Sequence, residues 1–145
     1  MKSLAITPDL SVAPQLTVAD LAEAAASGYR SIINNRPDWE SPDQPSAALI
    51  EAEAARLGLA YRFIPIVSGR LGPGEVDAFA AALKELPAPV LAFCRSGTRS
   101  ATVWALASAG ELGTEAVIEK TAQAGYDLQP MRPILDAFAA RSGQG

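Results

Sequence analysis

The chain has 145 residues, 49% of them hydrophobic and 19% charged, which is enough apolar material for one folded domain over residues 1–145. Sixteen acidic against 12 basic side chains give a formal net charge of −4, which argues against broad binding to nucleic acids or anionic membranes. The sequence has no histidine and one cysteine, Cys94, so it excludes a Ser-His-Asp triad, a Cys-His dyad, histidine-ligated metal sites and an intrachain disulfide.

The amino-terminal residues do not form the long apolar segment of a secretory signal, because Pro8 and Asp9 interrupt them early. No apolar run approaches the roughly 18 residues that a membrane-spanning helix needs. We therefore expect the protein in the cytoplasm, where an unpaired thiol stays reduced.

Short apolar runs alternate along the chain with alanine-rich amphipathic segments. In chain order, the pattern first predicts a strand at 10–12 and a helix that begins with the capping pair Thr17 and Asp20 and ends at Gly28. It then predicts a strand at 30–34 and a helix from Ser46 to Gly58. A strand at 61–66 and a helix at 75–86 follow.

The most clearly buried strand, residues 90–93, leads directly into the segment 94–100, and a further helix follows it. The last 35 residues read as two helices that Gly125 separates, the second capped by Asp127. Strands that alternate with helices predict a three-layer α/β fold, in which helices flank a mostly parallel central sheet.

The segment 94–100, Cys-Arg-Ser-Gly-Thr-Arg-Ser, connects a buried strand to a helix. The first N–H groups of a helix have no intrahelical partner, and together with the positive end of the helix dipole they attract an oxyanion. Gly97 permits the backbone curvature that turns successive N–H groups inward. Such donors, with Arg95 and Arg99 nearby, also stabilise a thiolate, so we expect Cys94 to fall below the free cysteine pKa of about 8.5 and to act as a nucleophile without a histidine.

This loop resembles the active-site loop of cysteine-dependent phosphatases and of rhodanese-type sulfurtransferases. The wider chain resembles the phosphatase-like domain family of the beta-lactamase hydrolase-like proteins, in the segments 31–38, 44–45, 61–66 and 90–100. The resemblance implies a fold like that of dual-specificity tyrosine phosphatases.

The same resemblance implies roles for the loop residues. It makes Cys94 the nucleophile, Arg99 the phosphate clamp and Ser100 a hydroxyl donor to the thiolate. Because the spacing between Cys94 and Arg99 is short, Arg95 is the alternative for the clamp. The remaining loop positions would bind substrate: Arg95, Ser96, Gly97 and Thr98.

Three departures from the phosphatase pattern keep alternatives open. Only four residues separate Cys94 from Arg99, a spacing common in rhodanese loops, whereas phosphatases have five. Phe93 stands where phosphatases have a histidine, and the loop at 67–70 lacks the aspartate that serves as general acid. Loss of a positioned acid costs about 10²–10⁴ in rate, least for aryl esters, whereas sulfur transfer needs no such acid.

Four residues outside the loop are further candidates for substrate binding. Arg36 and Asp38 follow a core strand at its carboxyl end, where α/β proteins bind ligands. An Arg36–Asp38 pair that fixes the loop is the alternative, and Asp38 is also a possible stand-in acid. Ser68 and Arg70 are placed at the mouth of the pocket, with a solvated turn as their alternative reading.

The primary hypothesis is a cysteine-dependent hydrolase of phosphomonoesters, aryl esters favoured, that works through a cysteinyl-phosphate and needs no metal or organic cofactor. Its partner would be a small anionic substrate or a phosphorylated protein, with no nucleic acid and no membrane. The alternatives are a rhodanese-like sulfurtransferase with a persulfide on Cys94 and a non-catalytic anion-binding module. The oligomeric state stays open.

Overall fold

Helices and strands alternate along residues 1–143, which are the residues that the computed structural model describes. The strands are β1 (Leu4–Thr7), β2 (Leu10–Ala13), β3 (Ser31–Asn34), β4 (Ala60–Phe63) and β5 (Val90–Phe93). The helices are α1 (Val18–Ala26), α2 (Ala47–Arg56), α3 (Pro73–Glu85), α4 (Thr98–Leu112), α5 (Thr114–Gln123) and α6 (Arg132–Gly143), with a 3₁₀ turn at Gln129–Met131. Over this range, no helix combines the length and the hydropathy that crossing a bilayer requires.

The strands form one mixed sheet in the order β1-β2-β5-β3-β4. Strands β2, β5, β3 and β4 run parallel, and β1 pairs antiparallel with β2 at one edge. Strand β5 lies at the centre, where Leu91 is in register with Ser11 on one side and with Ile32 on the other. The helices that connect parallel strands must cover the sheet faces, which explains why β3 and β5 are apolar and buried throughout their middle positions.

Alternate side chains of the central strands enter two separate cores. Ile32, Leu91 and Phe93 face α1 and α2, whereas Ile33 and Ala92 face the helices on the opposite side of the sheet. The second core is the larger one and takes its buried side chains from α3, α4, α5 and α6, among them Val76, Phe79, Val103, Val117, Ile118 and Leu135. The three-layer α/β architecture expected from the sequence is therefore confirmed.

The helix caps agree with the sequence pattern. Thr17 and Asp20 form a reciprocal capping box at the start of α1, with hydrogen bonds of 3.1 and 2.9 Å. The Ser46 hydroxyl accepts the N–H of Leu49 at the start of α2.

Two strand predictions differ from the structure. Strand β4 ends at Phe63 rather than at residue 66, because Pro65 has no N–H to donate to a ladder. The edge strand β1 was not expected, because its four residues carry no distinctive pattern and its pairing with β2 comes from the fold.

The carboxyl end of the chain contains one more turn than the sequence indicated. Asp127 caps the 3₁₀ turn, since its carboxylate accepts the N–H of Gln129 at 3.0 Å, and α6 begins only at Arg132. Pro130 explains the interruption, because a proline disfavours α-helical geometry at the residue before it.

The carboxyl ends of β3 and β5 bring two loops together. The Asn35 N–H donates to the Phe93 carbonyl at 2.8 Å, one residue beyond the end of β3. The loop that begins at Asn35 therefore starts beside the loop that begins at Cys94, as expected where parallel strands meet at one sheet edge.

Candidate active site

Cys94 lies directly after β5 and immediately before the turn into α4. Its side chain is buried, and its sulfur accepts the N–H of Gly97 at 3.1 Å. The N–H groups of Arg99 and Ser100 come before the first intrahelical bond of α4, in which Ala101 donates to the Gly97 carbonyl at 2.9 Å. The sulfur thus sits in a loop at the positive end of a 15-residue helix.

The carbonyl groups of the loop are bound by donors outside it. The Arg95 carbonyl accepts the N–H of Gln15 at 3.2 Å, and the Ser96 carbonyl accepts the Tyr126 hydroxyl at 3.3 Å. Inside the loop, the Gly97 N–H faces the Cys94 sulfur, and the Thr98 N–H donates to the Ser96 hydroxyl oxygen at 3.4 Å. Inward N–H groups are the feature of an anion-binding nest, and anion binding by residues 94–100 stays a prediction.

Gly97 makes the loop possible in two ways. Its φ of +92° lies in the left-handed region, and a Cβ at this position would stand only 2.1 Å from the Tyr126 hydroxyl oxygen. The ring of Tyr126 therefore occupies space that a side chain at position 97 would need. Burial raises the pKa of Tyr126, and the charge of the nearby Cys94 sulfur raises it further.

Arg99, in the first turn of α4, points its guanidinium at the loop after β3. Nη1 and Nη2 each donate to one oxygen of Glu40 at 2.8 Å, and Nη1 also donates to the Ile66 carbonyl at 2.7 Å. The Glu40 carboxylate raises the pKa of Arg99, and the Cys94 sulfur adds to that effect through its charge. The guanidinium consequently lies within electrostatic reach of the sulfur and is fixed by a bidentate pair.

Glu40 joins Arg99 to a second arginine. The buried Arg36 donates from Nε to Glu40 at 3.0 Å and from Nη1 to the side chain of Gln15 at 3.0 Å. The two arginines, Arg99 foremost, hold the pKa of Glu40 below its ordinary value despite the opposing effect of burial. The loop after β3 and the cysteine loop are therefore connected through one ionised carboxylate.

Asp38 does not take the position that the sequence suggested for it. Its carboxylate accepts the Ala47 N–H at 2.7 Å at the start of α2. It lines a pocket of about 220 Å³ together with Trp39 and Leu49. The alternative of an Arg36–Asp38 pair is wrong, because Arg36 pairs with Glu40, which lies four residues along the same loop. Substrate binding by Arg36 and Asp38 stays a prediction.

Ser100 makes a different contact from the one that the resemblance implied. Its buried hydroxyl donates to the side-chain oxygen of Asn35 at 2.8 Å, and the Asn35 amide donates to the Ile64 carbonyl at 2.9 Å. In this structure Ser100 therefore ties α4 to the end of β3. Donation of the same hydroxyl to the Cys94 thiolate stays a prediction.

The remaining candidates lie at the rim. Arg95, Ser96 and Thr98 are exposed, and the Ser96 hydroxyl donates to that of Thr98 at 3.1 Å. Arg70 is exposed in a turn where its N–H donates to the Val67 carbonyl.

Ser68 lines an apolar pocket of about 320 Å³ beside Arg99. Residues from three segments form its walls: Ile66, Val67, Ser68, Gly69, Leu71, Thr98, Arg99, Thr102, Met131 and Ile134. The structure therefore groups Ser68 with Thr98 and Arg99 around one cavity.

Asp38, the possible stand-in acid, and three further carboxylates, Glu40, Glu75 and Asp77, are each engaged in other contacts. Asp38 caps α2, and Glu75 accepts the Gly72 N–H at 3.3 Å at the start of α3. Asp77 pairs with Arg141 at 2.8 Å, and Glu40 is ionised between two arginines. Within residues 1–143, no three potential His, Cys, Asp or Glu ligands lie close enough together to hold a metal ion.

Four residues of the site were not assigned from the sequence: Gln15, Asn35, Glu40 and Tyr126. Each acts by contact with a residue distant in sequence, as when Tyr126 meets Ser96 and Glu40 meets Arg99. The contact between Arg36 and Glu40 is the one among these that has a local sequence signal, because the two residues lie four positions apart in one loop.

Comparison with known proteins relates this chain to a phosphatase-like domain family. The family model described as beta-lactamase hydrolase-like protein, phosphatase-like domain, matches residues 3–111. A beta-lactamase hydrolase-like protein from Xylella fastidiosa is 39% identical over 106 residues, which are 73% of this chain and 25% of that protein. One from Agrobacterium fabrum is 37% identical over 109 residues, which are 75% of this chain and 25% of that protein. The chain thus spans about a quarter of the length of these curated relatives.

Solved structures agree with the observed fold. A protein from Neisseria meningitidis described as a candidate phosphatase has a TM-score of 0.83 and 31% identity, with 93% of this chain and 96% of that one covered. TpbA from P. aeruginosa, solved as a cysteine-to-serine variant in complex with pTyr, has a TM-score of 0.65 and 17% identity, covering 99% of this chain and 91% of that one. At that identity the second likeness concerns the fold alone.

Proposed function

This chain belongs to the phosphatase-like domain family of the beta-lactamase hydrolase-like proteins, and on that premise we propose that it hydrolyses phosphomonoesters through a cysteinyl-phosphate on Cys94. The observation that carries the proposal is the buried sulfur, with the Gly97 N–H 3.1 Å away and the guanidinium of Arg99 held beside it. A nucleophile and an oxyanion site are thereby brought together without histidine.

The reaction has two steps, phosphoryl transfer to Cys94 and then to water. In the first, the Cys94 thiolate attacks phosphorus, an S–P bond forms, and the P–O bond to the organic group breaks with its electron pair on the leaving oxygen. In the second, water attacks the same phosphorus, the S–P bond breaks, and inorganic phosphate and the thiolate are released. The loop amides and Arg99 hold the three equatorial oxygens in both steps.

Aryl esters are the favoured substrates, because the carboxylates near the site are held in other contacts and do not serve as a general acid. Asp38 is engaged at the start of α2, and Glu40 is ionised between two arginines, so neither is placed to protonate the leaving oxygen. A phenolate leaves readily without protonation, whereas an alkoxide does not, and a missing acid costs about 10²–10⁴ in rate. The substrates are therefore aryl phosphates or phosphotyrosine in a protein. The pTyr complex of a neighbour with the same fold supports this choice by analogy only.

The decisive experiment compares the purified chain with Cys94→Ser on p-nitrophenyl phosphate. We expect phosphate release by the wild type and none above background by the variant, with a burst of nitrophenolate equal to the enzyme concentration if hydrolysis of the intermediate is slow. Trapping by acid quench, followed by mass spectrometry, places the phosphoryl group on the peptide with Cys94. Turnover that survives in Cys94→Ser overturns the proposal.

One observation favours a second candidate. Only four residues separate Cys94 from Arg99, which is the spacing of rhodanese-like loops. In that reaction the thiolate takes a sulfane sulfur from thiosulfate, sulfite leaves, and cyanide accepts the sulfur from the persulfide. The same preparation is therefore assayed with thiosulfate and cyanide. Thiocyanate formation without phosphate release, with one extra sulfur on the peptide containing Cys94, assigns sulfur transfer instead. Phosphate binding without either turnover assigns an anion-binding module.

A further inference from the structure

An apolar pocket shares Thr98 and Arg99 with the cysteine loop. The pocket measures about 320 Å³, which is near the lower end of small-molecule sites, roughly 300–1,000 Å³. Thr98 and Arg99 form one wall, and Met131 and Ile134 form another. Apolar side chains that are grouped around a cavity and exposed there are a feature of ligand-binding grooves. Here Ile134 is 46% exposed and Val67, on the third wall, is 51% exposed.

The two sides of Arg99 differ in polarity. On one side Nη1 and Nη2 bind the ionised carboxylate of Glu40, so an apolar group there would desolvate a charged pair. On the other side Nη1 binds the Ile66 carbonyl, and Ile66 itself lines the pocket. Of these two surroundings of Arg99, the pocket is the apolar one, on which an ester bound at Arg99 can bury an apolar group.

The direction of attack leads to the same side. In-line displacement requires the leaving oxygen to lie opposite the sulfur, so the organic group points from the buried Cys94 towards the surface. The exposed residues of the cysteine loop are Arg95, Ser96 and Thr98. Of these, Thr98 also lines the pocket, together with the exposed Val67 and Ile134.

We propose that this pocket is the subsite for the apolar organic group of the ester, with Met131 and Ile134 as specificity-determining residues for extended aromatic rings. The proposal rests on the phosphatase function and adds its substrate class. A second ring buries further apolar surface, and differences of one methylene in apolar pockets change kcat/KM by about 10–200-fold. We expect 2-naphthyl phosphate to exceed phenyl phosphate in kcat/KM by about tenfold.

The test measures the naphthyl-to-phenyl ratio of kcat/KM in Ile134→Ala and in Met131→Ala. Both ratios should fall from about tenfold towards one, because each truncation removes apolar contacts of the second ring. Val67→Ala, on another wall and half exposed, should lower the ratio as well and does not depend on the folding of α6. Leu49→Ala is the matched control, because Leu49 is 58% exposed and lines the other pocket, with Trp39.

Binding separates this proposal from the proposed function. Calorimetry with Cys94→Ser and each of the two esters measures the ring preference without turnover. A preference in binding that the pocket variants remove supports the subsite even where the wild type shows no hydrolysis, which would overturn the proposed function alone. Equal affinity for both esters overturns the subsite. The subsite is also overturned if Trp39→Ala or Leu49→Ala removes the preference for the naphthyl ester while Ile134→Ala retains it.

Discussion

Glu40 accepts hydrogen bonds from both terminal nitrogens of Arg99, each at 2.8 Å, across 59 positions of sequence. With the bond from Nη1 to the Ile66 carbonyl, these contacts use Nη1 and Nη2. The Cys94 sulfur also lies close enough to Arg99 to raise the pKa of its guanidinium. The Glu40 carboxylate therefore fixes the orientation of the Arg99 guanidinium beside the sulfur.

Replacing Glu40 by Gln should weaken this orientation. An amide offers one oxygen where the carboxylate offers two, so Arg99 loses half of its bidentate contact and Arg36 loses its charged partner. Misplacement of a catalytic group by about 1 Å can lower the reaction rate about 10²-fold. We therefore expect kcat/KM for an aryl phosphate to fall about 10- to 100-fold in Glu40→Gln. Steady-state kinetics on Glu40→Gln check this.

Asp43→Asn provides the matched control. It removes a negative charge from the same loop, at an exposed position whose side chain bonds to Ser41 rather than to Arg99. Its kcat/KM should stay within about threefold of the wild type, in line with the weak influence of exposed charges. An equal loss in both variants would mean that net charge, not the orientation of Arg99, matters.

Lysine at position 99 should test which arginine clamps the anion. Lysine keeps the charge but loses the planar fork that binds Glu40 and the Ile66 carbonyl together. We expect Arg99→Lys to lower kcat/KM at least 100-fold. Arg95→Lys should change it less than fivefold, because that side chain is exposed at the rim. The reverse order of effects would give the clamp to Arg95.

The sequence predicted the fold and the cysteine loop well, because both depend on local patterns. Thr17 with Asp20 and the apolar run of β5 define element ends that the structure reproduces. Gly97, at a φ of +92°, adopts the conformation that its residue type suggested.

The side-chain partners could not be predicted, because they depend on how loops meet. Asp38 and Glu40 are both acidic residues in one short loop, and the sequence does not distinguish them. The turn at Trp39, whose φ is +68°, directs Asp38 to the start of α2 and Glu40 to Arg99. In the same way, Tyr126 reaches Ser96 only after the helices between them have packed.

The Gly97→Ala substitution should impair catalysis by the cysteine loop at residues 94–100. The left-handed conformation costs a non-glycine residue about 1–2 kcal/mol, and the new Cβ would meet the Tyr126 hydroxyl oxygen at 2.1 Å. We expect a loss of at least 100-fold in kcat/KM and slower alkylation of Cys94 by iodoacetamide at pH 7, because the amide that faces the sulfur moves.

The double variant Gly97→Ala/Tyr126→Phe separates the two causes. It removes the oxygen at 2.1 Å but keeps the ring carbon at 3.0 Å and the backbone strain. Partial recovery relative to Gly97→Ala is therefore expected, and full recovery would show that backbone strain contributes nothing. Tyr126→Phe alone reports what the hydrogen bond to Ser96 contributes.

Ser100→Ala should lower stability. Its hydroxyl is the donor to the buried Asn35 oxygen at 2.8 Å, and a buried acceptor left without a partner costs about 1–3 kcal/mol. Urea unfolding measures that loss, and Ser100→Thr, which keeps the hydroxyl, is its control. A decrease in kcat with unchanged stability would instead support donation to the thiolate, as the resemblance to phosphatase loops implies.

Acid should remove the contribution of Glu40 to stability in a defined pH range. Arg99 and Arg36 hold the pKa of Glu40 below its ordinary value of 4.5, so the folded state favours the ionised carboxylate. A group whose pKa is lowered on folding stabilises the protein above its unfolded-state pKa, and this stabilisation is lost as the pH falls through the folded-state value. We expect the wild type to exceed Glu40→Gln in unfolding free energy by about 1 kcal/mol, as for a partly exposed pair. This difference should be constant from about pH 8 to pH 5.5 and should shrink below about pH 4.5. Urea unfolding of both proteins at each pH measures it, and a difference that already changes between pH 8 and pH 6 would contradict the assignment of this carboxylate as ionised between the two arginines.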